Sequence, residues 1–564
     1  MVARALLTAA AAALLATGGV ASGARSTPNP IRAENSQAGT TAWQVRGTAD
    51  VELYAGQISA LPGDAVELHV STPFRYRLVV FRLGWYGGAG ARQVACIPGC
   101  DAVEQGTQQP PPDTTQEPIR AGWPVTDVLR SGDDWVSGYY LVEAVLTSGP
   151  DAGQAGTTFV ILRRPAGEPP ARILVLVPVN TWEAYNQWGG KSLYDFGTSR
   201  ARAVSFDRPF GALAQSPMWW EVQLVRFLER EGYDVSYQTD LDTDREGASL
   251  LRHRLVIDAG HDEYWTGAMR DAFDRALAEG TNLAFTGSND GYWQVRYEDG
   301  GRTIFSYKSM SDPNPVVSQK TAMFREVGRP ECMLMAIQHS WFGVLDHPLD
   351  YTVTAAGAAD PWLAGTGLYA GDTIAGVVGR EHDKINPYPA ACFKPGLVDL
   401  FHYDGGGVDQ DGDAVRYTAP SGARVFASGA QEFTWALDGW RADGDLFPEV
   451  PTGSDRSAPV DPRVQQFMRN VLADLQKPAP PTGVTTRTAG GRIVVTVRRQ
   501  ADPRYRGFVS GTKTATGRFA PLCRGVLTCS GPLPPGRGEV VVGVVEIDRW
   551  GASSPTADYV VVQR

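Results

Sequence analysis

Histidine and cysteine are scarce in this chain, seven and six among 564 residues, and neither falls into a His/Cys spacing that holds zinc. No His-Glu-x-x-His run, Gly-x-Ser-x-Gly turn or Cys-x-x-Cys pair is present, and no cysteine follows a strand as a nucleophile. These gaps exclude the common zinc-protease, serine-nucleophile, thiol-redox and glutamine-amidotransferase chemistries. Positive charge is in deficit, 52 Lys and Arg against 62 Asp and Glu for a net charge of −10, which argues against nucleic acid or an anionic membrane surface as partner. Long apolar runs are also lacking, save one at the N-terminus. There Arg4 precedes an Ala/Leu-rich stretch from Ala5 to about Val20, followed by the small residues Ser22-Gly23-Ala24. That pattern reads as a secretory signal peptide over 1–24, too short for a membrane span, so the mature protein is expected outside the cell, free or wall-associated.

The cysteines fit export. Cys96 and Cys100 are close together, as are Cys523 and Cys529, which leaves Cys332 and Cys392 as a long-range pair. An even count in an oxidising compartment reads as three disulfides, and pairing each couple leaves an even number in every expected domain.

Three linkers divide the chain. Residues 25–41 are polar and follow the signal; Arg163 to Pro170 and Lys477 to Gly483 are rich in proline. Between the first two, over 42–164, short alternating segments such as Ala65 to Val70, Tyr76 to Leu83 and Tyr139 to Leu146 predict a β-sandwich. Its Gly-rich loop Gly84 to Arg92 lacks a Gly-Lys-Ser/Thr ending and is no phosphate loop. Over 171–476, strands such as Ile173 to Val177 and Leu255 to Ala259 alternate with helical faces, which predicts a doubly wound, mostly parallel α/β sheet. Residues 480–564 read as a third unit, a fibronectin type III-like sandwich.

The densest chemistry is the run Gly260-His261-Asp262-Glu263-Tyr264-Trp265. It joins a buried strand to the helical stretch Ala268 to Ala278, and such turns lie on the edge of a parallel sheet where ligands bind. The plainer alternative is that Asp262 caps the helix while His261 and Tyr264 pack. Other polar clusters end neighbouring strands: Asn180 to Asn186, Thr286 to Asp290 with Arg296 and Lys308 beyond, Gly379 to Asp383, and Ser428 to Gln431. A site rich in Tyr, Glu, Asn and His offers hard oxygen ligands, better suited to ferric iron than to zinc.

The same segments resemble the large (β) subunit of N,N-dimethylformamidase and its relatives. The resemblance rests on Arg82 to Gly88 with Gly90-Ala91-Arg92, Ser137 to Tyr140, Thr181 to Asn186 through Gly189-Gly190, and Ser205 to Pro209. It continues through His261 to Trp265 and Asn289 with Tyr292 to Arg296, and spans roughly residues 50 to 475. It implies a class I amidotransferase-like central domain and a mononuclear iron held by two tyrosines and a glutamate. On this chain the ligands implied are Tyr140, Tyr185 and Glu263, with His261, Asn289 and Lys308 around them. Glu381 is added as a candidate general base. The signal segment, the cysteine pairs and the fibronectin-like tail depart from that enzyme.

Together these readings predict an exported hydrolase of an amide or related C–N bond, acting on a small-molecule amide or a polymer-derived substrate with iron as Lewis acid. Two alternatives remain: a secreted carbohydrate-active enzyme, since Asp and Glu are plentiful enough for a carboxylate pair, and a non-catalytic wall- or polysaccharide-binding protein on the same fold.

Overall fold

The computed structural model describes residues 29–563 except 196–198, 212, 213, 215, 343–348, 387, 388, 408, 409, 443–457, 499–501, 515, 516 and 556. The signal-peptide reading of 1–24 lies outside the described residues. The expected linker 25–41 is not bare connection. Pro30–Glu34 forms a short helix capped by Asn29, Ile31 is wholly buried, and Glu34 pairs with Arg92 at 2.6 Å.

The strands Arg75–Leu83 and Gly138–Leu146 are mostly apolar and aromatic, and most of their positions are buried. Such strands belong at the centre of a sheet covered on both faces, and here both lie inside a six-stranded sheet. One face packs on the three-stranded sheet Glu52–Ala55, Ala65–Ser71 and Asp127–Arg130, burying Leu68, Val80, Tyr140 and Val142 among others. The opposite face, with Phe81, Leu83, Tyr139, Leu141 and Phe159, shares one core with the central region. Across that junction Arg82 makes a double contact to Glu229, 2.8 Å and 2.9 Å, with both side chains fully buried.

The central region is built on nine strands: β1 Ile173–Val177, β2 Val235–Thr239, β3 Leu255–Asp258, β4 Asn282–Phe285, β5 Leu349–Val353, β6 Thr373–Val378, β7 Val398–Tyr403, β8 Gly412–Thr418 and β9 Arg424–Ala427. Their order is β2-β1-β3-β4-β9-β8-β7-β5-β6. The pairings among β2, β1, β3, β4 and β9 are parallel, whereas those among β9, β8, β7, β5 and β6 are antiparallel. The expectation of a doubly wound, mostly parallel sheet is therefore corrected: the sheet is mixed in equal parts. No long helix separates β7, β8 and β9, so each turns straight back on its neighbour and must pair antiparallel. Helices do follow the parallel strands: α1 Val179–Tyr185, α2 Val222–Arg230, α3 Asp240–Arg245, α4 Gly267–Ala278 and, later, α5 Pro462–Leu475. No described helix is long and apolar enough to cross a membrane.

After Lys477 the chain forms two sheets, of three and four strands, over Val484–Gln563, enclosing Ile493, Val495, Phe508 and Val542. This β-sandwich does not hang free. Arg254, at the start of β3, is fully buried against Asp502 at 2.7 Å and Asp548 at 3.4 Å. Arg504 reaches back to Thr281 Oγ1 at 2.8 Å and the Glu279 carbonyl at 3.0 Å. The tail thus docks at the amino ends of β3 and β4. The three disulfides are Cys96–Cys100, Cys332–Cys392 and Cys523–Cys529, the expected pairing.

Candidate metal centre

After β1 the chain passes to β2 on one side of the sheet, while after β3 it passes to β4 on the other. The loops leaving the carboxyl ends of β1 and β3 therefore diverge and leave a crevice, the usual ligand position in such sheets. α1 follows β1 directly and is buried along its whole length, with Tyr185 as its last residue. The chain then folds back on itself. Asn186 Oδ1 accepts from Trp188 N and Gly211 N, and Leu193 N donates to the Ala184 carbonyl at 2.9 Å. This return lays Tyr194 against Tyr185, ring centroids 4.2 Å apart.

The turn after β3 carries His261, Asp262 and Glu263. Gly260 is left-handed at φ +70°, and the turn after β4 meets it so closely that a Cβ on Gly287 would lie 1.6 Å from the Gly260 carbonyl oxygen. Only glycine permits that approach, and it brings the turn that carries Ser288 and Asn289 against His261. Helix α4 is capped by Thr266, which accepts from Met269 N at 3.2 Å. Asp262 is not the cap, so that part of the plainer alternative is corrected, while His261 and Tyr264 are indeed buried and packed.

Glu263 is the hub. Its Oε2 accepts from Tyr185 Oη at 2.8 Å and from Tyr194 Oη at 2.6 Å, and Oε1 also accepts from Tyr194 at 2.7 Å. The Glu263 amide donates to Thr181 Oγ1 on α1 at 3.0 Å, tying the two loops together. His261 Nδ1 lies 2.8 Å from the Ser288 carbonyl; a carbonyl only accepts, so Nδ1 carries the proton. Nε2 then faces Glu263 Oε2 and Glu381 Oε2, each at 3.5 Å. Asn289, left-handed at φ +57°, donates its amide to Asp383 Oδ1 at 2.9 Å and its Nδ2 to Glu381 Oε2 at 2.8 Å. Glu381 and Asp383 alternate on the strand Glu381–Ile385, so one face of that strand grips Asn289 twice. Lys308 Nζ sits 3.4 Å from the centroid of the Tyr194 ring, a close cation–π contact.

Charge balance follows from this geometry. Burial alone disfavours the imidazolium of His261, but Glu381 and Glu263 outweigh it and hold its pKa up at about 10. Burial likewise opposes the Glu263 carboxylate, yet His261, Lys308 and Tyr194 bring it down to about 2. Lys308, almost fully buried, is lowered by desolvation to about 7 despite Glu263. Burial and then Glu263 push both phenols well above their ordinary value. Beneath the turn, Asp240, Asp258 and Asp262 are fully buried neighbours, and burial raises all three above the usual carboxylate range.

Of the residues anticipated from sequence, Tyr185, Glu263, His261, Asn289, Lys308 and Glu381 come together here. Tyr140 does not. Its ring stacks on Trp135 at 4.9 Å inside the sandwich, and its hydroxyl donates to the Val136 carbonyl at 2.7 Å. Strand alternation sends Tyr139 the other way, toward the central region, where it meets Tyr237 and Trp182 but not Glu263. The second phenol of the cluster is Tyr194, which the sequence reading missed. It lies four residues beyond the matched Gly189-Gly190, in a polar loop whose return onto α1 has no local signature.

Two phenols and one carboxylate, converging on each other and shut from solvent, form an all-oxygen donor set suited to a hard cation. Two further buried atoms of this cluster have no hydrogen-bond partner, His261 Nε2 and Asn289 Oδ1. The residues present therefore fit a mononuclear iron at Tyr185, Tyr194 and Glu263.

Comparison with known proteins agrees with the motifs. The N,N-dimethylformamidase beta subunit of an Alcaligenes species is 32% identical over 104 residues, 17% of this chain and 13% of that subunit. The corresponding subunit of Paracoccus aminophilus is 32% identical over 87 residues, 15% of this chain and 11% of its own length. The chain thus matches only a small part of either relative. Among solved structures, the spore cortex lytic enzyme SleM of Clostridium perfringens is 15% identical over 15% of this chain and 29% of its own, with a TM-score of 0.13, too low to indicate a shared fold. Residues 77–445 match the family model for the C-terminal region of N,N-dimethylformamidase beta subunit-like proteins, and with most of its length so matched the chain belongs to that family.

Proposed function

We propose that this protein is an exported hydrolase of a small amide, using a mononuclear iron held by Tyr185, Tyr194 and Glu263. The observation that carries the reading is the convergence of both phenols on one buried carboxylate that is flanked by His261 and Lys308. Membership in the N,N-dimethylformamidase beta subunit-like family supports amide chemistry. The N-terminal apolar segment and the three disulfides support export, and the three-plus-four-stranded tail supports a fibronectin type III-like module.

Iron bound at these ligands supplies Lewis acidity toward a carbonyl. The protein's own groups do the rest. Glu381 takes a proton from water as the water oxygen adds to the carbonyl carbon. Asn289 orients Glu381 through its Nδ2, a role its geometry favours over donating to an oxyanion. His261, held by the Ser288 carbonyl, lies between Glu263 and Glu381 and offsets part of their combined charge. Lys308 places positive charge beside the site, where a developing oxyanion gains most from a desolvated cation. As the C–N bond breaks, the proton held on Glu381 passes to the leaving nitrogen, giving a carboxylic acid and an amine.

The test is release of amine from N,N-dimethylformamide and from larger formamides by purified protein of known iron content. Glu381→Gln is expected to lower turnover by about a hundredfold or more while iron content stays unchanged, and Glu263→Gln to lose iron and activity together. Full activity in iron-free protein overturns the reading.

A further inference from the structure

A second group of metal-ligating side chains lies outside this site, on the antiparallel half of the sheet. β7 carries Asp399 and His402, and β8 carries Asp413. Residues three apart on a regular strand face opposite ways, but the register between β7 and β8 shifts between Asp399 and Phe401. This bulge spends two consecutive side chains, Leu400 and Phe401, on the core, both wholly buried. Asp399 and His402 are thereby returned to one face, the re-aiming that bulges provide. His402 lies directly across from Asp413 in the ladder, and one ligand atom from each of the three residues falls within 4.8 Å of the others.

Existing contacts account for two of the three residues. Asp413 Oδ1 meets His402 Nδ1 at 2.7 Å, and Oδ2 accepts from Ile385 N at 2.8 Å. Asp399 is different: its Oδ1 is closed off from solvent and takes no hydrogen bond. No Lys or Arg lies in the sequence between Val398 and Val415. Two carboxyl groups and one imidazole gathered in this way offer three ligand atoms to a single ion.

We propose that Asp399, His402 and Asp413 form a second cation site, taking a zinc-type divalent ion. The imidazole selects against calcium and magnesium, which prefer oxygen-only shells. The His402 side chain is 39% exposed, so solvent completes the coordination. Through Ile385, the ion braces the strand that carries Glu381 and Asp383. The site does not depend on the hydrolase reading.

The experiment uses the full chain, stripped with chelator and dialysed against zinc, with metal content and melting temperature measured. His402→Gln and Asp399→Asn are each expected to bind zinc at this site roughly tenfold or more weakly than the unsubstituted protein. Each is also expected to lose the zinc-dependent rise in melting temperature, whereas Glu263→Gln retains both. His402 is partly exposed, so His402→Gln decides the matter even where Asp399→Asn folds poorly. Equal zinc binding in the unsubstituted protein and His402→Gln overturns the proposal, as does zinc binding that disappears only in Glu263→Gln.

Discussion

Tyr185 and Tyr194 both donate to Oε2 of Glu263, at 2.8 Å and 2.6 Å, with their ring centroids 4.2 Å apart. They lie nine positions apart in sequence, and the return of one loop onto α1 brings them together. Loss of either phenol therefore removes a ligand of the proposed iron. Tyr194→Phe and Tyr185→Phe should each lower iron content and bleach or shift the visible phenolate-to-iron band. Tyr140→Phe should leave both unchanged, costing only its bond to the Val136 carbonyl, about 1 kcal/mol. Iron loss in Tyr140→Phe with retention in Tyr194→Phe would reverse the assignment.

Glu143 gives a clean pH test of stability. It is buried in the strand Gly138–Leu146 with neither carboxyl oxygen hydrogen-bonded, and desolvation raises its pKa well above the ordinary value. The folded state therefore holds a proton that the unfolded chain releases near its unfolded pKa of about 4.3. Stability from this group is full below that pH and declines as pH rises toward the folded pKa. Glu143→Gln, neutral at every pH, should raise the melting temperature at neutral pH and have little effect near pH 4. An equal effect at both values would show that packing rather than ionisation dominates.

The tail is expected to matter for stability and not for the metal. Asp502 and Asp548 neutralise the fully buried Arg254, at the sheet edge opposite His261 and Glu263. Asp502→Ala should destabilise the protein by roughly 3 kcal/mol, because a buried charge loses its nearer partner. Removal of everything after Lys477 should lower the melting temperature while leaving iron content intact. Iron lost on truncation, at a temperature where the remainder is still folded by circular dichroism, would show that the tail helps build the site.

The disulfides should differ in worth. Cys332–Cys392 closes 60 residues, against 4 for Cys96–Cys100 and 6 for Cys523–Cys529. Loop-closure entropy assigns about 4 kcal/mol to the first and about 2 kcal/mol to each of the others. Paired serine replacements followed by denaturant titration will rank them, and a larger loss for either short loop would contradict the entropic account.

Sequence alone determined the elements whose cause is local. The alternation and apolar continuity of Tyr76 to Leu83 and Tyr139 to Leu146 marked buried strands. The strand Leu255–Asp258 running through Gly260 into α4 marked an edge turn, so His261 and Glu263 could be placed before any long-range contact was known. Cysteine spacing indicated the disulfide pairing for a similar reason, since two of the three loops are short. What the sequence left open depends on how distant segments meet. Which face of Gly138–Leu146 looks toward the central region cannot be read from alternation, which is the same for either face, and tertiary packing turned Tyr139 inward and Tyr140 into the sandwich. Tyr194 reached Glu263 only because the loop after α1 folds back over Ala184. The antiparallel half of the sheet was hidden because β5 to β9 show no regular alternation with helices, and their partners are chosen by closure of the core around Phe401, Phe426 and Phe467. Periodicity is a property of a segment and its nearest neighbours, whereas a ligand set assembled from three loops is decided by the packing that brings those loops together.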